Sequence, residues 1–437
     1  MNIDTSQFVT WFRSASPYIH VHRNRTVVIK FDDDAVHSDT FNHLIHDLAL
    51  LNSLGLQLVL VYGTRLSIEK LLKQNDINLE YHAGLRITTQ EAMEYVKQAT
   101  GKLRIEIESR LSMGLGNTPM SNAELRVCSG NYVTAKPLGI IDGVDYQFTG
   151  EVRSIDINSI KNKLSLNEIV LVPPIGYSST GEAFNLNADK LASKLAIQLS
   201  ADKLIYMMEA PGISGDDGEL QRQLTQEQAK AILAGLDANS VIFPYLGPAI
   251  DACVAGVKRA HLIDRRVDGA MLLELFTRDG CGTMISNSPY DVVRKAGIED
   301  IHGILELLEP LERKGILVER SREKLELEID HFTVMERDGV IIACAALYLF
   351  REEATAELAC FAVHPDYHND GYGEGFLSLL EKQALSQNLK SVFVLTTQTE
   401  HWFLENGFRT VTMEDLPSDR KAMYNYQRNS KVLIKSL

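Results

Sequence analysis

The stretch Leu358–Glu374 reads LACFAVHPDYHNDGYGE. Its first six residues are an unbroken apolar run of strand length, and His364-Pro365 stops the run. A loop carrying Gly371 and Gly373 follows and opens a helical pattern that continues to about Leu385. A strand feeding such a loop presents unpaired backbone N–H groups at a helix N-terminus, a site that holds a pyrophosphate without a basic side chain. The glycines let the backbone approach the anion closely. A lone Gly-x-Gly also fits a plain tight turn, so the neighbours decide. Ser391–Leu395 is a following strand, and His401–Phe408 (HWFLENGF) is a short helix ending in Gly-Phe.

Upstream of this stretch lie helical patterns at Asp300–Lys314 and Ser321–Asp330, then strand-like runs at Phe332–Arg337, Val340–Phe350 and Thr355–Val363. Asp338-Gly339 is a two-residue hairpin signal, so the block reads as α+β with an antiparallel core. Met284–Tyr290 (MISNSPY) is the best linker candidate. Before it the pattern differs. Short apolar strands at Thr26–Phe31, Leu56–Tyr62, Glu168–Val172, Lys203–Met207 and His261–Ile263 alternate with helices at Phe41–Leu51 and Asn187–Leu199. That order implies an α/β domain with a parallel sheet covered on both faces. The expected division is residues 1–284, a linker at 285–290, and residues 291–437.

Length and composition agree. The 437 residues amount to about three domains' worth of chain, so the first block is expected to be two lobes thick. Fifty-eight acids against 44 bases leave a net charge of −14, whose mean field repels phosphate. General nucleic-acid or anionic-membrane binding is therefore not expected, although a local pocket for one small anion is compatible. The five cysteines (Cys128, Cys253, Cys281, Cys344, Cys360) are scattered, with no CxxC, which fits reduced cytoplasmic thiols and no metal site. Met1–Arg13 has no signal-peptide core, and the longest apolar stretch, Val340–Phe350, is too short for a membrane helix.

From Leu358 to Phe408 the chain resembles the GNAT superfamily of N-acetyltransferases, whose acetyl-CoA loop follows Gln/Arg-x-x-Gly-x-Gly/Ala. Here His368 stands at the first position. The resemblance implies that acetyl-CoA lies between splayed strands. It would pair with backbone at Cys360, Phe361, Ala362 and Val363, its pyrophosphate on His368, Gly371, Tyr372, Gly373 and Glu374. A tyrosine that protonates the departing thiolate in many members is replaced by Phe403, leaving Thr396 to donate a proton or only to orient the sulfur. Glu357, at the start of the central strand, reads either as a solvated strand acid or as the base that deprotonates the attacking amine through a water.

Over essentially its full length the chain is similar to the long bacterial type of the N-acetylglutamate synthase family, an amino-acid-kinase-like domain followed by a GNAT domain. The carriers are PYIHVHRNR (17–25), IIDGVDY (140–146), NLNAD (185–189), GILVERSRE (315–323), ACFAVHP (359–365), VLTT (394–397) and YNYQRNSKVL (424–433). The resemblance implies direct acetyl transfer from acetyl-CoA to the α-amine of L-glutamate, the first step of arginine biosynthesis. It puts the catalytic roles on Glu357 and Thr396. Glutamate's carboxylates would rest on Arg320 and Arg428, with Ser430 and Cys360 beside them. It also implies arginine feedback through Tyr18, His261, Glu274 and the backbone at Gly280, and a homo-oligomer, hexameric by analogy. A bifunctional synthase–kinase and a non-catalytic arginine sensor are the alternatives.

The kinase alternative meets an obstacle in the sequence. Lys30 stands where the kinase fold places its phosphate-holding lysine, but Phe31-Asp32-Asp33-Asp34 replaces the usual glycines and the second loop is reduced to Gly63-Thr64-Arg65. Three carboxylates there are expected to repel a γ-phosphate. Asp189 and Lys203 persist, each with a structural reading as helix start and strand anchor.

Overall fold

The computed structural model describes residues 5–114, 121–215, 218–277, 279–287, 291–337, 340–368, 371–422, 424, 428 and 430–437. The chain divides into two compact units, Met1–Pro289 and Tyr290–Leu437. Among the described residues no helix is long and apolar enough to cross a membrane.

In the first unit a central sheet runs in the order Gln223–Thr225, Thr283–Ser286, Arg259–Asp264, Lys203–Met208, Thr26–Phe31, Gln57–Tyr62, Ile169–Val172, Val127–Cys128. Its ladders are parallel except between Arg259–Asp264 and Thr283–Ser286. The continuous apolar runs follow from burial on both faces. Val28, Val59, Val172, Leu204 and Leu262 point into one core, under helices that include Ala188–Leu199 and Phe243–Val254. Val27, Ile29, Leu58, Leu60, Ile205 and Ile263 point into the other, with Phe41–Ser53 and Ala270–Phe276.

A second sheet, ordered Ala183–Asn185, Ile175–Tyr177, Val133–Pro137, Gly150–Ile155, supplies the additional layer. The IIDGVDY motif is a tight hairpin whose two turn residues, Asp142 and Gly143, have φ of 50° and 79°. The strand at Thr283–Ser286 shortens the expected linker. Ile285 and Ser286 pair with Ala260 and Arg259, because Met284 and Ile285 complete a buried edge of the sheet.

The second unit is a seven-stranded sheet ordered Asp291–Lys295, Phe332–Arg337, Val340–Phe350, Thr355–Val363, Ser391–Thr396, Lys431–Ser436, Arg409–Val411. All neighbours are antiparallel save one pair, Thr355–Val363 with Ser391–Thr396, which corrects the purely antiparallel reading. The block also opens with a strand rather than a helix. Asp291–Lys295 (DVVRK) pairs with Phe332–Arg337, but its charged ends leave only two apolar residues to signal it. Helix Ile301–Arg313 packs on one face of the sheet, and helices Tyr372–Ser386 and Glu400–Glu405 on the other. The Asp338-Gly339 turn lies outside the described residues.

Candidate active site

The one parallel pair creates the site. Its ladder joins Thr355, Ala356 and Glu357 to Ser391, Val392 and Phe393 and stops there, although both strands continue. Beyond Glu357 the strands part around a cavity of about 1060 Å³, lined by Leu358–Val363 on one side and Val394–Thr396 on the other. Backbone groups of two parted strands are free to pair with an extended guest. The Thr355–Val363 strand is also bulged, because Cys360 and Phe361 together oppose Ala345 of its other neighbour. Cys360 takes φ +52°, a left-handed conformation that costs a non-glycine residue about 1–2 kcal/mol.

Gly371, at φ +76°, turns the chain into helix Tyr372–Ser386, whose first turn lies at the cavity wall with Gly373 and Glu374. A Cβ on Gly373 would come within 3.1 Å of the Trp402 ring, so glycine lets that indole close over the helix start. Trp402 Nε1 donates to Glu374 Oε1 at 3.1 Å, which gives the Glu374 side chain a partner inside the protein. His368 is exposed, its Nε2 hydrogen-bonded to the Val363 carbonyl at 2.9 Å. Asn369 and Asp370 lie outside the described residues.

Glu357 is 7% exposed and clamped by Arg420, which donates Nε to Oε2 at 2.5 Å and Nη2 to Oε1 at 2.9 Å. A carboxylate has about four lone-pair sites, so two remain for a water or an amine. Arg420, missed in the sequence, sits in a five-residue helix, Ser418–Ala422, far along the chain. Thr396 Oγ1 accepts the backbone N–H of Thr399 at 3.0 Å and shares a 2.7 Å bond with the Thr399 hydroxyl. An oxygen that accepts a backbone N–H holds its own proton less tightly, so Thr399 is a second missed member of the site.

Arg320 and Arg428 line the same cavity, with Ser430 and Cys360. Arg320 is largely buried, and its Nε has no hydrogen-bond partner, with Glu328 at 3.8 Å. Arg428 donates to the Ile316 carbonyl, and burial together with the neighbouring Arg320 cation pushes its guanidinium down. Two guanidiniums this close, one with an unmet donor, favour an anion between them. Burial raises the Cys360 thiol to about 11, so it is not a thiolate at neutral pH.

The family models agree with the two units. The amino acid kinase family matches residues 25–264, and the acetyltransferase (GNAT) family matches residues 301–415. The amino-acid acetyltransferase of Photobacterium profundum is 48% identical over 440 residues, covering 99% of each chain. The crystal structure of N-acetylglutamate synthase from Neisseria gonorrhoeae, complexed with coenzyme A and L-arginine, is 35% identical over 98% of this chain and 99% of that one, with a TM-score of 0.91. Its complex with coenzyme A and N-acetyl-glutamate superposes with a TM-score of 0.64 at the same identity and coverage. The chain belongs to the N-acetylglutamate synthase family. It is an amino-acid acetyltransferase.

In the first unit of this acetyltransferase, His261, Glu274 and the backbone beside Gly280 do come together. His261 Nδ1 lies 2.6 Å from Glu274 Oε1, and Glu274 Oε2 accepts the N–H groups of Cys281 and Gly282 at 2.7 and 3.0 Å. Tyr18 packs at the margin of the same apolar cluster as Leu275 and Phe276. The printed contact of its helix comes one turn later, where His22 Nε2 meets the Leu275 carbonyl at 2.8 Å. Burial and the Lys203 cation push His261 down to about 4, so its imidazole is neutral at pH 7. Burial raises Glu274, but the His261 and backbone hydrogen bonds outweigh it and bring the carboxyl to about 2.

These shifts set an acid limit. The unfolded chain takes up the His261 proton near 6.5 while the folded one resists until about 4, so stability falls as pH drops across that window. Glu274 adds a further loss below about 4.5. Thermal melts of the full chain from pH 7 to 4 should show the first unit losing Tm steadily, and His261→Gln should flatten the upper part. An identical slope in the variant would contradict the assignment.

The three acids after Lys30 each have an internal partner. Asp32 accepts from Lys30 Nζ at 2.6 Å and from the Tyr245 hydroxyl at 2.8 Å, while Asp189 holds the same ammonium at 2.5 Å. Asp33 accepts the Ser67 N–H at 2.5 Å, and Asp34 pairs with Arg265 at 3.2 Å. A Cβ on Gly63 would fall 2.0 Å from Asp32 Oδ1, so the remaining glycine of the second loop accommodates that carboxylate. The sequence anticipated repulsion of a phosphate. The structure adds that an aspartate carboxylate already sits on the lysine.

Proposed function

We propose that the second unit moves acetyl from acetyl-CoA directly to the α-amine of L-glutamate. The observation that carries this reading is a single cavity holding Glu357, Thr396 and the Arg320–Arg428 pair beside the parted strands and the Gly371–Glu374 helix start. Acetyl-CoA would enter along Cys360–Val363 with its pyrophosphate at that helix start, and glutamate's carboxylates would rest on the two arginines with Ser430. Glu357, oriented by Arg420, takes a proton from the glutamate ammonium through a water. The freed amine adds to the thioester carbonyl, the C–S bond breaks, and the thiolate collects a proton near Thr396. Both substrates are present together, so no acyl-enzyme is formed.

The test is thiol release from acetyl-CoA against a panel of acceptors. Glutamate should lead, with aspartate, glutamine and ornithine far behind because each loses one carboxylate contact or its reach. Release that does not depend on glutamate would overturn the reading. Thr396→Val should lower kcat by about 10-fold or less, since a thiol leaving group needs little acid help. A loss beyond about 100-fold would make Thr396 an obligatory acid.

We further propose that L-arginine acts as a feedback inhibitor at the first unit, its guanidinium on Glu274 near His261 and Gly280. The support is a buried carboxylate of depressed pKa beside flexible-looking chemistry of the right sign, together with the arginine complex of the Neisseria relative. Glu274→Gln should raise the arginine concentration for half inhibition by about 10- to 100-fold, with uninhibited activity retained. An unchanged inhibition curve would contradict the site. The first unit is read as inactive in phosphoryl transfer, because Asp32 and Asp189 already occupy Lys30. No ATP-dependent phosphorylation of N-acetylglutamate is expected.

A further inference from the structure

The loop that opens helix Tyr372–Ser386 begins and ends on a tyrosine, and both tyrosines meet the same cation. Arg337 closes the Phe332–Arg337 strand and is 3% exposed. Its guanidinium lies 5.1 Å from the Tyr367 ring centroid and 4.8 Å from that of Tyr372, and its Nη2 donates to the Tyr372 hydroxyl at 2.5 Å. The two rings meet edge to face at 5.4 Å. Tyr367 ends the short turn Pro365–Tyr367, and Tyr372 is the first residue of the helix, immediately after Gly371. Both ends of the segment from 367 to 372 are thus stapled from below by one planar side chain on another strand.

Burying a guanidinium is costly, and a flat fork that stacks on one ring while bonding the hydroxyl of another is a geometry that lysine does not reproduce. The loop's own basic residue, His368, is exposed and tied to the Val363 carbonyl. Holding the helix start in shape therefore falls to contacts outside the loop.

We propose that Arg337 is a positioning residue for the cofactor's pyrophosphate. It preorganises the backbone N–H groups at the start of helix Tyr372–Ser386 by fixing Tyr367 and Tyr372 together. This rests on the acetyl-CoA reading of the cavity. A preorganised N–H cradle matters only to a thioester that carries a pyrophosphate. Loss of the staple should therefore discriminate between donors that share the acetyl thioester and differ in the phosphate.

The experiment compares acetyl-CoA with S-acetyl-pantetheine, which lacks the pyrophosphate and nucleotide, as donors to glutamate. Wild-type turnover of acetyl-CoA is measured first, so failure of the acetyltransferase reading shows there and not in the comparison. Arg337→Met should lower kcat/KM for acetyl-CoA by about 10- to 100-fold, through KM, while kcat/KM for S-acetyl-pantetheine stays within about threefold of wild type. The KM for glutamate should not move. Equal losses for both donors, or no loss for either, would overturn the proposal. Should Arg337→Met fail to fold, Tyr372→Phe carries the same test, since it removes only the hydroxyl. Its selective loss should be about 3- to 10-fold, and an equal loss for both donors would again be fatal.

Discussion

Glu357→Gln is expected to lower kcat by about 10²- to 10⁴-fold, with KM for acetyl-CoA unchanged. The ammonium of glutamate cannot attack a thioester until it loses a proton, and Glu357 is the carboxylate at the mouth of the parted strands that is positioned to take it. Its buried clamp by Arg420 fixes the direction of the free lone pairs. Glutamine keeps the shape and one acceptor but cannot accept the proton. Because Arg420 then faces a neutral amide, some stability should also be lost, about 1–3 kcal/mol. Stopped-flow or steady-state thiol release at saturating substrates checks the rate, and a thermal melt checks the rest. A variant with nearly wild-type kcat would remove Glu357 from the chemistry and leave the Glu357–Arg420 pair as a strut.

The second large effect belongs to Arg320. Arg320→Met should raise the KM for glutamate by about 10²- to 10³-fold, as expected for loss of a charge-assisted, bidentate carboxylate contact. The same change should leave the substrate-free protein as stable as before, or more so. Arg320 is largely buried, its Nε has no hydrogen-bond partner, and its nearest acid, Glu328, also accepts from the Tyr348 hydroxyl at 2.5 Å. Replacing a poorly paired buried cation by an apolar chain of similar size removes a desolvation cost. Weaker glutamate binding with a maintained Tm is the signature of a cation kept for its ligand. A large fall in Tm with little change in KM would make it a structural residue instead.

Much of this was legible in the sequence, and the parts that were not share physical causes. The strands at Thr26–Phe31, Lys203–Met208 and Val340–Phe350 announce themselves because both faces or nearly the whole run are buried. Asp291–Lys295 and Val133–Pro137 do not, because a short edge or a half-exposed strand interleaves polar residues and resembles a loop. The cavity residues that came from strand ends, Glu357 and Thr396, were readable from their place next to apolar runs. Arg420 was not. It reaches Glu357 from 63 positions away, in a segment, SDRKA, that looks like a solvated charge run. Arg337 likewise reads as a polar strand end until the sheet places it beneath Tyr367 and Tyr372. Side-chain pairs made across a fold leave no spacing in the sequence.

The claim on which the account stands is that both substrates meet in one cavity and the acetyl group passes straight to the amine. Cys360 offers the sharpest alternative, since it lines that cavity and a thiol is the natural acyl carrier. Burial holds its pKa near 11, which disfavours the thiolate. The decisive measurement is the intact mass of the full chain, with thiol release followed in parallel, after mixing with acetyl-CoA alone and then with glutamate. The account predicts no acetyl adduct and no thiol until glutamate is added, then release matched one for one by N-acetylglutamate. An acetylated enzyme that forms first and is discharged by glutamate would contradict it.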